Sequence, residues 1–280
     1  AREENTPPVT TLPGLHSEAA SPASPFFAFG PNKEIVAFSQ SMRGIIDLAM
    51  KLHANPAIPV LIEGETGTGK ELMARFVHYG NEGSESPFIA LNCAAISASL
   101  FESELFGYEG GSFSGGLAKG KIGKLDLAQG GSLFLDEISE IPLDLQAKLL
   151  RLIQEREFYR VGGLKLIKSN IRIIGASNRD LKEAVLRGEF RQDLYYRLKV
   201  GHIHLPPLRQ RKDGLLNMAQ YFMRVYSRQH HKNFSEISPE AAHIILEYDW
   251  PGNIRELRNT IEWIVLTADD NILRAEHFDA

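Results

Sequence analysis

The 280 residues carry a net charge of −4, with 43% hydrophobic and 24% charged residues, which excludes a strongly basic nucleic-acid-binding fragment and a low-complexity disordered chain. The single cysteine, Cys93, excludes an intramolecular disulfide and fits a reduced, cytoplasmic setting, and no apolar run approaches the roughly 20 residues of a membrane helix. The length suits one large domain, or a large one plus a small one; there is no signal peptide, and a start at Ala1 without Met reads as a piece excised from a longer protein.

Residues 1–29 read as a linker. Pro7, Pro8, Pro13, Pro22 and Pro25 interrupt a run of Ser, Thr and Ala that buries little by itself. Phe26, Phe27 and Phe29 end it, and two readings stay open: aromatics docked on this domain or a neighbouring subunit, or a disordered tip. From Ile35 to His53, apolar residues at Ile35, Phe38, Met42, Ile45, Ile46 and Ala49 predict one or two amphipathic helices, ended by Asn55-Pro56.

Ile58–Ile62 is an apolar run that reads as a buried strand, and Glu71–Val77 reads as a helix. Between them lies Gly64-Glu65-Thr66-Gly67-Thr68-Gly69-Lys70. Strand, Gly-rich turn, Lys and helix is the context that turns this spacing into a phosphate-binding loop. Glycines let backbone N–H groups converge on phosphate, and the helix N-terminus adds about half a positive charge. Lys70 would then meet the β- and γ-phosphates. The next position, usually a Ser or Thr that holds Mg²⁺, is Glu71, so the metal contact has to come from elsewhere.

Pro87–Cys93 reads as a second strand with Asn92 at its C-terminal end, where ligand chemistry sits in open α/β sheets. Asn92 is either a polar switch or a cap for the next turn; Cys93 reads as a small buried hydrophobe. Ser97–Phe106 is helical in pattern. Glycine then fills seven of the 17 residues from Gly107 to Gly123, around Gly111-Ser112-Phe113-Ser114-Gly115-Gly116. A long loop carrying an aromatic is expected to be functional; the bland alternative is a floppy insertion.

Gly131–Glu137 is an apolar strand ending in Asp136 and Glu137. At this distance after a phosphate loop, the pair reads as a metal-holding carboxylate and a water-polarising one. Pro142 suits the start of a helix whose apolar face is Leu145, Leu149, Leu152 and Ile153. Glu157–Gly163 reads as a hairpin edge, and Ile171–Asn178 as a buried strand with Asn178 placed to sense the γ-phosphate or orient water. Arg191 and Arg197, six residues apart, are either charge-stabilising fingers or ordinary solvated cations. Val200–Leu205 is a last strand. Beyond Pro206-Pro207 the pattern is helical over 215–229, 239–248 and 253–268, a small all-α domain whose last helix carries Arg255 in its first turn, where an Arg could reach a nucleotide from the lid.

Taken together these elements resemble the central AAA+ ATPase domain of bacterial enhancer-binding proteins, the NtrC-like activators of sigma-54 RNA polymerase. The resemblance covers about residues 30–280. It rests on Gly64–Glu71, Phe101–Gly107, the loop at 111–116, Leu133–Glu137, Phe190–Arg197 and Trp250–Leu257, and Glu71 is that family's usual residue. It implies an α/β fold: a three-layer αβα sandwich on a parallel sheet over 30–205, followed by a helical lid over 206–280. It also implies ATP and Mg²⁺ as ligands. Lys70 is then similar to the Walker A lysine, Asp136 and Glu137 to the Walker B pair, Asn92 to the Asn that gates the Walker B Glu, Asn178 to sensor I and Arg255 to sensor II. Arg191 and Arg197 look like fingers given to the next subunit, so a ring, a hexamer or a heptamer, is expected. The loop departs from the family pattern Gly-Ala-Phe-Thr-Gly-Ala: it keeps Phe113, but Ser114 lacks the Thr methyl, and Ser112 and Gly116 add polarity and flexibility. The expected function is remodelling of the sigma-54 closed complex through Gly111–Gly116, with promoter DNA bound by a domain outside these residues. One rival is a nucleotide-gated DNA-bound regulator that oligomerises without remodelling sigma-54. The other is an AAA+ remodeller of a different kind, such as a helicase loader or unfoldase, which the Phe113 loop argues against.

Overall fold

The computed structural model describes residues 26–28, 34–81, 83–111 and 119–278. The readings placed on residues 1–25, Phe29, and Ser112, Phe113, Ser114, Gly115 and Gly116 lie outside these.

In chain order the elements are β1 (Phe26–Ala28), β2 (Glu34–Val36), α1 (Gln40–His53), β3 (Val60–Glu63), α2 (Lys70–Tyr79), β4 (Phe88–Asn92), α3 (Ala98–Phe106), α4 (Lys124–Leu127), β5 (Ser132–Asp136), α5 (Leu143–Glu155), β6 (Glu157–Tyr159) and β7 (Leu166–Lys168). There follow β8 (Arg172–Ser177), α6 (Leu181–Leu186), α7 (Gln192–Leu198), β9 (Gly201–His204), α8 (Leu215–Gln229), β10 (Glu236–Ile237), α9 (Pro239–Glu247), α10 (Asn253–Thr267) and β11 (Ile272–Leu273).

The central sheet has the order β4-β5-β8-β3-β9 and is parallel throughout. Such strands are covered on both faces, so they read as continuous apolar runs rather than alternating ones; every residue of β8 is buried. The two-residue period still sorts the side chains. Leu61, Leu133, Leu135 and Ile173 join the core under α3, α5 and α7. Val60, Ile62, Phe134, Ile174, Ala176 and Ile203 join the core under α1 and α2. This is a three-layer αβα sandwich. A third core, built on Leu208, Met218, Met223, Trp250, Leu257 and Ile261, belongs to the helical lid. There the Trp250 indole N–H donates to the Ile245 carbonyl at 2.8 Å. Helix starts are fixed by side-chain caps at Ser39, Asp180 and Ser238. No helix among the described residues is long and apolar enough to cross a membrane.

Three expectations need correction. Residues 26–28 are not linker: β1 pairs antiparallel with β2, Phe26 against Val36. Ile35 is in that hairpin rather than in a helix, because α1 begins only where Ser39 Oγ accepts the Met42 N–H. The hairpin also bridges the two subdomains. Phe26 packs on Phe38 and on Tyr221 of the lid helix α8, at 6.0 and 5.8 Å between ring centres, while Phe27 meets Phe76 of α2 edge-on at 6.4 Å. Finally, the 107–123 segment has an ordered stem. Tyr108 bridges Lys121 on one side and Val161 on the other. A Cβ on Gly123 would lie 2.4 Å from the Gly107 nitrogen, so the two arms are pinched to a separation only glycine permits.

Candidate nucleotide site

Strand register brings the candidate residues to one edge of the sheet. Asn92 lies beside Asp136 at the ends of β4 and β5, and Glu63 beside Ser177 at the ends of β3 and β8. The phosphate loop follows β3 directly, and Asn178 follows β8 directly. Gly67 and Gly69 have φ of +81° and +102°, the left-handed backbone that turns successive N–H groups towards one point. Lys70 opens α2 and is 9% exposed; its Nζ donates to the Gly64 carbonyl at 2.7 Å and the Glu65 carbonyl at 3.1 Å. Burial lowers its pKa from the ordinary lysine value, opposed by the charges of Asp136 and Glu137 and assisted by that of Arg255. Lys70 is thus within the electrostatic reach of both carboxylates and of the lid arginine.

Asp136 ends β5, and its Oδ1 accepts the Glu137 N–H at 3.1 Å. Glu137 leaves the strand in the left-handed conformation, φ 53° and ψ 49°, which turns the chain away from the strand direction. Asn92 takes the capping role: its Oδ1 accepts N–H bonds from Ala94 and Ala95 at 2.9 and 3.1 Å. Burial raises the Cys93 thiol pKa, as expected of an inert core residue. Asn178 Nδ2 donates to Thr66 Oγ1 at 3.3 Å, tying β8 to the phosphate loop. Thr68 turns its hydroxyl inward to the Glu65 carbonyl at 2.8 Å. Glu71 points away and pairs with Arg75 at 2.7 Å.

Arg191 and Arg197 lie on the exposed side of α7. Neither hydrogen-bonds or ion-pairs with the phosphate loop of its own chain among the described residues. Arg191 is bidentate to Asp193, at 3.1 and 2.7 Å. Its backbone N–H donates at 2.8 Å to the fully buried Gln146, whose amide also donates to the Ile141 and Glu189 carbonyls. Gln146 was not legible as important: it sits one residue from Leu145 on an otherwise apolar face.

The lid touches the loop at residues the sequence did not single out. Asn253 is fully buried with φ 54°. It accepts the Leu208 N–H at 2.7 Å and donates to Glu65 Oε2 at 3.2 Å and the Thr66 carbonyl at 3.0 Å. Arg209 grips both Glu65 oxygens, at 2.9 and 2.6 Å. The Glu65 side chain therefore faces the lid. Its hydrogen bonds from Arg209 and then from Asn253 hold its pKa at about 2. Buried Arg211 donates to the Thr68 carbonyl at 3.4 Å, and burial brings its pKa down to about 10. A Cβ on Gly67 would sit 2.2 Å from the Gly252 carbonyl and 3.2 Å from the Arg255 Cβ, so Arg255 opens α10 directly over the loop.

Comparison with known proteins agrees with this architecture. The sequence matches the family described as Sigma-54 interaction domain over residues 35–204 and the AAA+ ATPase lid domain over 209–280. It is 49% identical over 234 residues to the transcriptional regulatory protein FlbD of Caulobacter vibrioides, covering 84% of this chain and 51% of that protein. It is 50% identical over 217 residues to the regulatory protein AtoC of Escherichia coli, covering 78% and 47%. The chain thus spans about half the length of these curated relatives. The solved structure of NtrX from Brucella abortus with ADP superposes with a TM-score of 0.78 at 31% identity, covering 87% of this chain and 54% of that one. At 20% identity and a TM-score of 0.59, yeast Hsp104 shares the fold. The chain belongs to the sigma-54 interaction domain family of AAA+ ATPases, whose members among its relatives are NtrC-like sigma-54-dependent transcription activators.

Proposed function

We propose that the chain hydrolyses ATP and uses the cycle to remodel the sigma-54 RNA polymerase closed complex. The observation that supports this most is the gathering of Lys70, Asp136, Glu137 and Arg255 at one edge of the sheet, around the glycine-lined loop that follows β3.

The residues fit the group they would hold. The left-handed Gly67 and Gly69 form a concave set of N–H donors suited to phosphate. Lys70 adds the cation at the β- and γ-phosphates, and the deflected Glu137 takes the proton of the attacking water as general base. Asp136 would hold Mg²⁺, which when bound neutralises charge on the β- and γ-oxygens. Asn178 orients the γ-phosphate side through Thr66. Asn92, one strand from Asp136, can exchange its turn cap for Glu137 and so gate the base. Glu71 pairs with Arg75, outside the metal shell.

Arg191 and Arg197 act in trans. They are exposed and unattached to their own loop, and Gln146 fixes the Arg191 backbone while leaving its guanidinium on the surface. A finger of this kind is worth about 10³–10⁵ in rate, so activity needs a ring, a hexamer or heptamer. The Gly111–Gly116 loop with Phe113 contacts sigma-54. Its pinched stem, bridged to Val161, supplies the lever. DNA is bound by a domain outside these residues.

The test is binding to purified sigma-54 with ADP plus a γ-phosphate transition-state mimic, against ADP alone. A complex only with the mimic is expected. No complex, with hydrolysis intact, would replace remodelling by nucleotide-gated regulation and make Ser112, Ser114 and Gly116 the reason.

A further inference from the structure

Three lid groups reach the phosphate loop. Arg209 is bidentate to Glu65, Asn253 donates to both the Glu65 carboxylate and the Thr66 carbonyl, and Arg211 reaches the Thr68 carbonyl. Arg255 stands two residues from Asn253 on the same first turn of α10. Asn253 is held on its other side by the Leu208 N–H, one residue before Arg209. Glu65 is therefore gripped by two separate stretches of the lid sequence at once, residues 208–211 and the start of α10.

We infer that Glu65, Arg209 and Asn253 form a latch that sets the height and angle of Arg255 over the phosphate loop, and so act as positioning residues for ATP. The inference rests on the ATP-binding reading above. The geometry is selective. Asn253 offers its one carbonyl oxygen to the Leu208 N–H and its amide hydrogens to the loop. A left-handed Asn is among the few non-glycine residues that tolerate this backbone. The close approach of Gly252 to Gly67 admits no side chain at position 67, because a Cβ there would lie 2.2 Å from the Gly252 carbonyl oxygen. Glu65 thus spends the one carboxylate of the phosphate loop on the lid.

The experiment is a mutant cycle read as affinity for a non-hydrolysable ATP analogue with Mg²⁺, by titration calorimetry, on the whole chain. Glu65→Gln keeps shape and fold; Arg209→Ala removes the grip. Each is expected to weaken binding about fivefold, the upper range for an ion pair whose partners are 38% and 41% exposed. In an Arg255→Ala background the same changes should have less than about twofold effect, because nothing is left to position. Equal weakening in both backgrounds would mean plain structural support and overturn the latch. No weakening in either, or an Arg255→Ala protein that binds as tightly as the native chain, would also overturn it. A native chain that binds no analogue would instead overturn the ATP reading itself.

Discussion

Glu137 carries a stability cost that can be measured apart from its chemistry. Its φ of 53° and ψ of 49° are left-handed, a conformation costing an L-residue roughly 1–2 kcal/mol. Glu137→Ala and Glu137→Gly both delete the carboxylate, but only glycine accepts this backbone freely. Glycine also has the larger unfolded-state entropy, a penalty of roughly 0.5–1 kcal/mol. The difference leaves the Gly variant more stable than the Ala variant by about 0.5–1 kcal/mol, or about 2 °C in Tm for a chain this long. Both variants, and Glu137→Gln, should lose about 10²–10⁴ in phosphate release while keeping ATP affinity. Thermal unfolding and a phosphate-release assay read the two effects separately. An Ala variant that melts above the Gly variant would refute the strained-backbone argument. Undiminished turnover in Glu137→Gln would remove it from the role of base.

Other outcomes follow from the same contacts. Glu65 has its pKa depressed from 4.5 to about 2 by Arg209 and Asn253, so its stabilising contribution is complete above pH 4.5 and lost as pH falls towards 2; the native chain should destabilise more steeply across that window than Glu65→Gln, and equal slopes in acid titrations of unfolding would count against the latch. Replacing Phe26 and Phe27 together with Ala should lower stability by about 1–2 kcal/mol, modest because Phe26 is 39% exposed, and should raise hydrogen exchange in α8, where Tyr221 lies; unchanged α8 exchange would mean the hairpin does not brace the lid. Subunits with Arg191→Ala and subunits with Lys70→Ala should each be inactive alone yet regain hydrolysis when mixed, and mixtures that stay inactive would argue against a finger acting in trans.

The sheet and its phosphate loop were legible because their signals are local. An apolar run meeting Gly-x-x-x-x-Gly-Lys encodes strand, turn and helix within a few residues, and Leu133–Glu137 encodes a buried strand ending in carboxylates. The lid helices were legible from their periodicity. The parts not read depend on contacts between distant segments. Ile35 matched the helical spacing of α1, but its strand identity comes from Phe27 across the hairpin. The stem of the 107–123 insertion is set by Val161, about forty residues after its last glycine in a segment read only as a hairpin edge. Glu65 and Asn253 lie inside motifs that were recognised, yet their roles were invisible, because a motif names the residues that face the ligand and says nothing of what faces the lid.

Strain in this chain concentrates where the chemistry is proposed. Of the five described non-glycine residues with positive φ, Glu137 follows β5 directly, while Trp250 lies just before α10 and Asn253 at its start. Each makes a hydrogen bond in this conformation: Glu137 through its N–H to the Asp136 carboxylate, Trp250 through its indole to Ile245, Asn253 through its side chain to Leu208 and the phosphate loop. Backbone in such regions persists only where its surroundings over-determine it. The lid core around Trp250 supplies that determination for one side and the buried end of β5 for the other. A two-part site of this construction changes when either part rotates against the other, because Arg255 and Glu137 ride on separate cores joined by the Glu65 contacts and the Phe26 hairpin. Under the proposed ATP cycle, a change at the γ-phosphate side would reach the lid without deforming either core, which is what a switch built from two rigid bodies requires.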